Sequence, residues 1–238
     1  MGFPEQFHPA ISAALSSIDL GAVSHVYFVA CGGSLSIMYP AKFMLDQHTS
    51  ISSDVFNAAE FVARSPKRLG PSTLVVLCSM SGTTKETTAA ANFAREKGAI
   101  TIGLTVDLGS PLASAVHYPV KFEAPYTTGI PIDAKDSNYS AIYQITMGIV
   151  AGTGGEDLRK PLIDSLANLQ AVIDRAQEIY SPVWDRYANH FAQQSVIHTI
   201  ASGASYGAAY SFAICVLMEM QWIHSQAIHS NEFFHGPF

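Results

Sequence analysis

Charge is scarce in this chain, and cysteine is scarcer. Only 13% of its 238 residues are charged, while 48% are hydrophobic. A chain so apolar can build a sizeable core, which excludes a disordered polymer. The 13 Lys and Arg are outnumbered by 19 Asp and Glu, for a formal net charge of -6. A broad nucleic-acid face or an acidic-membrane face needs clustered cations, so neither partner is expected. Enough cations remain to line one small anion site.

The three cysteines, Cys31, Cys78 and Cys215, lie far apart, and none forms a C-x-x-C pair. A zinc ribbon or redox motif is therefore not expected. Cys31 and Cys78 close apolar runs, where a small buried thiol is the ordinary finding. Long hydrophobic runs are missing too. No stretch of about eighteen uninterrupted apolar residues offers a membrane span. No basic start followed by an apolar stretch marks a signal peptide. These absences together lead us to expect a cytoplasmic, reduced protein.

What is present is a strand–loop–helix pattern that recurs. "HVYFVACGGS" (25–34) is an apolar strand run ending in glycines, and "LSIMYPAKFMLDQH" after it has helical spacing despite Pro40. "DVFNAAEFVAR" reads as a short strand and a short helix. "STLVVLCSMSGTTKET" (72–87) repeats the first pattern, with a helix through about Lys97. "AITIGLTV" and "AVHYPVKF" read as two more strands, and Ser110-Pro111 opens a short helix between them. Strands alternating with helices imply parallel βαβ units. Continuous apolar strands imply a sheet covered on both faces. Ligands of such sheets bind at the carboxyl ends of the strands.

A helical stretch from about Ser137 to Gln193 follows, broken near "GTGGED". "SVIHTIASGASYGAAY" (195–210) then starts the pattern again as a weak internal repeat. The expected division is 1–136 for a first α/β domain with an N-terminal helix, 137–193 for a helical connection, and 194–238 for the start of a second domain. One strand and one helix are too few to bury a sheet, so the second domain is expected to be cut short.

Two small-residue loops fall at carboxyl ends of strands. "SMSGTTKET" offers the hydroxyls of Ser79, Ser81, Thr83 and Thr84, with Gly82 for a tight turn. Hydroxyls and free amides at a helix N-terminus suit a phosphate. One such hydroxyl would be an ordinary helix cap; four within six residues favour an anion. The Walker spacing is absent. "CGGS" adds Gly33 for close backbone approach and Ser34 as a further donor.

The C-terminal segment "CVLMEMQWIHSQAIHSNEFFHGPF" collects Glu219, His224, His229, Glu232 and His235. Glu219 sits in the most apolar helical run, where burial would raise its pKa and suit it to proton transfer; a structural ion pair is the competing reading. His224 and His229 are five apart, poor spacing for one helix face, so no metal is expected. His235 precedes Gly-Pro and so belongs to a turn.

These stretches resemble the sugar isomerase (SIS) domain proteins, which bind phosphosugars. "ACGGS", "SMSGTTKET" and "MEMQWIHSQAIHSNEFFHGPF" carry the likeness, and the last is most similar to the fructosamine-6-phosphate deglycases. The resemblance implies a three-layer parallel-sheet SIS domain of flavodoxin-like type, followed by a truncated second SIS domain. It implies a homodimer and phosphate contacts from Gly33, Ser34, Ser79, Met80, Ser81 and Thr84, with Met80 limited to its backbone. It implies Glu219 as the catalytic base, His235 as the acid–base group, and no cofactor. The implied reaction converts a 6-phosphofructosyl amino acid and water to glucose 6-phosphate and the free amino acid. Two alternatives stay open. One is a phosphosugar aldose–ketose isomerase or glucosamine-6-phosphate-synthase-like enzyme using the same Glu and His. The other is a non-catalytic phosphosugar-binding SIS module.

Overall fold

The computed structural model describes residues 2–124 and 132–237. Helix α1 (Pro9–Ser17) leads into the first strand. Strands β1 (His25–Ala30) and β2 (Ser52–Asn57) are linked by helices α2 (Gly32–Ser36) and α3 (Met38–His48). Pro40 falls in the first turn of α3, where a missing N–H costs little. Helix α4 (Ala58–Arg64) precedes β3 (Thr73–Cys78). Helix α5 (Lys85–Glu96) precedes β4 (Ile100–Thr105), and α6 (Pro111–Ala115) precedes β5 (Tyr118–Lys121). The expected cap is found on α6, where Ser110 Oγ accepts from the Ala113 N–H at 3.3 Å.

All five strands are parallel, in the order β2-β1-β3-β4-β5. Every residue of β1 and of β3 is buried, because helices cover both faces of the sheet. Period-two alternation divides each strand between two cores. Val26, Phe28, Leu74, Val76, Ile102 and Leu104 face one layer. Tyr27, Val29, Val75 and Leu77 face the other, with Phe61 of α4 and the alanines of α5. The chain direction along the sheet reverses between β1 and β3. Their carboxyl ends therefore open a crevice, the place where such sheets bind ligands.

Helix α7 (Asn138–Gly152) packs Ile142, Ile145 and Ile149 into the first of these cores, so that core reaches past residue 136. Helix α8 (Arg159–Phe191) is 33 residues long and exposes Trp184, Tyr187 and Phe191 along its second half. It leads to β6 (Val196–Ala201), helix α9 (Tyr206–Ser211) and a π-helix, Phe212–Met220. A last strand, β7 (His224–His229), pairs parallel with β6. A 3₁₀ turn, Ser230–His235, follows it. No described helix is long and apolar enough to cross a membrane.

Two local readings change. Past residue 194, where one strand and one helix are expected, "HSQAIH" forms a second strand, β7. The stretch Phe212–Met220 is wound as a π-helix rather than an α-helix, with Gln221 N–H donating to the Val216 carbonyl at 3.1 Å. The wide turn ends at Trp222, which is 88% exposed and holds φ at +59°, a strained value for a bulky residue.

Candidate phosphosugar site

The loop between β3 and α5 is built from hydroxyls that hold one another. Ser79 is buried, and its Oγ lies 2.9 Å from Thr84 Oγ1. Ser81 Oγ lies 2.7 Å from Thr83 Oγ1 and accepts from the Thr83 N–H at 3.3 Å. Thr84 is the N-cap of α5, yet its side chain caps nothing in the helix. The first N–H groups of α5 have no intrahelical carbonyl to bond. They form the positive end of the helix dipole, beside four hydroxyls and at the crevice.

This loop is rigidly braced from β4 and α6. Met80 carbonyl accepts from the Val106 N–H at 2.9 Å and from Thr105 Oγ1 at 3.1 Å. Gly82 carbonyl accepts from the Leu112 N–H at 3.0 Å. Gly82 holds φ at +69°, and a Cβ there would stand 2.0 Å from Ser110 Oγ. Only glycine fits. The Ser110-Pro111 pair thus does more than start α6, a second use that its sequence signal does not carry.

The β1–α2 loop approaches from the neighbouring strand. Gly32 takes φ of +52° to turn the chain into α2. Ser34 hydrogen-bonds the Cys78 thiol at the end of β3, which ties the two loops together. Burial pushes that thiol's pKa up to about 12, so it stays neutral. Gly33 is exposed on its outer side and lies against the π-helix, with Cys215 Sγ 3.5 Å from where its Cβ would stand. Burial also raises the Cys215 pKa, Ser211 opposes the rise by a hydrogen bond, and the nearby Glu219 charge adds to it.

Gly33, Ser34, Ser79, Met80, Ser81 and Thr84 therefore share one end of one sheet. The π-helix that carries Glu219 packs on α2. The burial expected of Glu219 is not found: its side chain is exposed. The π-helix buries Ala213 and Leu217 and turns Glu219 outward. His235 lies elsewhere, exposed at the end of the last turn, beyond β7. The nearby Gly236 and Pro237 help line a cavity of about 520 Å³ with His198, Tyr206, His229 and Glu232. His224 and His229 are the first and last residues of β7. Among the described residues, no group of three or more His, Cys, Asp or Glu is placed to hold a metal ion.

A parallel 2-1-3-4-5 sheet with a hydroxyl-lined loop at its switch point defines an α/β protein of the class that binds ligands at the carboxyl ends of its strands. The SIS domain family profile matches residues 20–147, and the chain belongs to that family. It is similar to the fructosamine deglycase FrlB of Bacillus subtilis, with 45% identity over 229 residues, 96% of this chain and 69% of that one. The fructoselysine 6-phosphate deglycase of Escherichia coli is 24% identical over 96% of this chain and 65% of its own length. A solved B. subtilis structure described as a candidate phosphosugar isomerase superposes with a TM-score of 0.93. That match has 43% identity and covers 98% of this chain and 70% of that one. The chain thus spans about two thirds of the length of these relatives.

Proposed function

We propose that this chain is the deglycase of a 6-phosphofructosyl amino acid. The observation that carries the reading is the braced hydroxyl loop at the N-terminus of α5, a cradle for a phosphate dianion. Its likeness to a fructosamine deglycase at 45% identity supports the particular chemistry. The 6-phosphate anchors the sugar on Ser79, Ser81, Thr84 and the first amides of α5, with Gly33 and Ser34 closing on it. Fixing the sugar converts the later proton transfers into intramolecular steps.

His235 serves ring opening, as the acid–base group for the cyclic ketosamine. Glu219 then takes the proton from C1, and the electron pair moves to give the enaminol. Reprotonation at C2 gives the imine, and water adds to it to release the amino acid and glucose 6-phosphate. Nitrogen and the carbonyl carbon carry the electron flow throughout. An exposed Glu219 is compatible with this role, since bound sugar would itself cover the carboxylate.

Residues 194–238 are read as belonging to a second SIS unit, supported by the parallel β6–β7 pair and its strand–small-residue loop–helix order. The working form is read as a cytoplasmic homodimer, a reading supported by the family resemblance.

The test is direct. Amino acid and glucose 6-phosphate should appear in equal amounts from a 6-phosphofructosyl amino acid, and the unphosphorylated sugar should turn over far more slowly. Sugar-phosphate isomerisation without amino acid release would favour the isomerase alternative. Binding without turnover would favour the sensing module.

A further inference from the structure

The opposite end of the same sheet holds a second cluster of reactive groups. His25 opens β1, and its ring is almost wholly buried, with its side chain 3% exposed. In the parallel register it lies beside Ser52, and Tyr27 lies beside Asp54, so both β2 side chains flank the ring. Ser52 Oγ is 2.7 Å from His25 Nδ1. Asp54 Oδ2 is 3.2 Å from His25 Nε2, within ion-pair distance but off the axis of a good hydrogen bond. Arg68 Nη1 donates to Ser52 Oγ at 3.2 Å. Ser52, Asp54 and Arg68 are exposed, so an incoming molecule can reach the hydroxyl.

The order carboxylate, imidazole, hydroxyl is the arrangement that activates a serine, here with the two ring nitrogens exchanged. The Nε2–H tautomer suits it: Nε2–H faces the Asp54 carboxylate and Nδ1 accepts from Ser52. Burial holds the His25 pKa below its ordinary value, Asp54 opposes that, and Arg68 and Lys42 add to it. The ring is therefore neutral at pH 7 and free to take a proton. We propose that Ser52, His25, Asp54 and Arg68 form an activated-serine site for acyl or phosphoryl electrophiles, separate from the phosphosugar loop. The two sites sit at opposite ends of six-residue strands, roughly 17 Å apart along the sheet.

The step balances without a co-reactant. Ser52 Oγ attacks the electrophilic phosphorus or carbonyl carbon, and its proton passes to His25 Nδ1. The leaving group departs with the bonding pair. Asp54 stabilises the imidazolium, and the Arg68 guanidinium faces the oxyanion. With a fluorophosphonate, an Oγ–P bond forms, a P–F bond breaks, and fluoride leaves.

The test is to treat the folded protein with a fluorophosphonate and map the adduct by intact mass and peptide sequencing. One phosphonyl group per chain on Ser52 is expected. His25→Gln and Asp54→Asn should each slow labelling at least tenfold. Asp54 is exposed, so Asp54→Asn decides the matter if the His25 variant fails to fold. Ser52→Ala should take no label and keep its phosphosugar activity. No adduct on Ser52, or a labelling rate that neither variant lowers, overturns the proposal. Loss of phosphosugar activity in a folded Ser52→Ala protein overturns the separateness of the two sites.

Discussion

The two sheets of this protein obey the same rule of alternation and come out differently. In the first, β1 and β3 are buried at every position, and their side chains feed two cores. In the second, β6 alternates between exposed and half-buried, with Val196 and Ile200 about half exposed. The composition of β6, "VIHTIA", is nearly as apolar as that of β1. The difference lies in what covers the strand. Helices lie on both faces of β1, while β6 meets β7, α9, the π-helix and the Ser230–His235 turn and stays partly open to solvent. Burial is thus a property of the layers around a strand, and an apolar run only makes it possible. The same contrast separates the candidate site residues. The β3–α5 loop hangs from the five-stranded sheet and is braced by neighbours on β4 and α6. Glu219 and His235 hang from the two-stranded one and are exposed.

The largest expected effect tests the functional half of that contrast. Glu219→Gln keeps size and hydrogen bonding but cannot take the C1 proton. A general base contributes roughly 10²–10⁴-fold to rate. The variant should lose that much kcat with an unchanged thermal midpoint, because an exposed side chain carries little of the fold. C1 proton exchange, measured by deuterium wash-in on the same sample, should vanish with it. Retained exchange would remove Glu219 from the mechanism.

Next comes the structural half. Phe28→Ala empties a fully buried site in β1 and should cost about 3–5 kcal/mol. Ile200→Ala in β6 should stay within about 0.5 kcal/mol, the range of surface substitutions. Urea titrations of the two variants side by side give the comparison. Equal losses would mean that β6 is covered in solution.

A smaller effect is expected in the loop. Ser81→Ala removes one charge-assisted hydrogen bond to phosphate, worth about 1.5–3 kcal/mol. KM for the phosphorylated sugar should rise accordingly, while activity on an unphosphorylated analogue stays level. An unchanged KM would take the Ser81 side chain out of the phosphate site.

The smallest effect concerns pH. A side-chain hydrogen bond from Arg159 lowers the Asp157 pKa to about 2, against an ordinary value of 3.8. A depressed carboxylate stabilises the fold above its unfolded pKa, and that contribution fades as pH falls from about 3.8 through about 2. Asp157 is largely exposed, so solvent screens the pair and the effect is small. The thermal midpoint of Asp157→Asn should converge with that of the wild type as pH drops across this window. A gap that persists at pH 2 would show that the Arg159 pair is not its source.

Much of the first sheet was legible from residue order alone. Apolar runs such as "TLVVLC" ended in small residues, and those endings marked both the strand ends and the hydroxyl-rich loop. The Ser110-Pro111 start of α6 was equally plain, because a cap and a fixed φ act within a few residues. The π-helix was not legible: "FAICVLMEM" has the same apolar content in either winding. Strand β7 was hidden for a related reason. "HSQAIH" lacks an apolar run and becomes a strand only because β6 offers it a partner. The burial of Glu219 was misread from its apolar neighbours: Leu217 turns inward, but Met218 and Met220 stay exposed beside it.

The sequence by itself determined the α/β class, the two small-residue loops and the crowding of hydroxyls in one of them. Those depend on interactions between residues close in the chain, where side-chain type and spacing suffice. Only the tertiary structure decided that Ser34 meets Cys78, that Gly82 must be glycine against Ser110, and that His25 lies between Ser52 and Asp54. Each of these pairs is more than twenty residues apart, and each exists because a parallel sheet sets strands distant in the chain side by side at a fixed spacing.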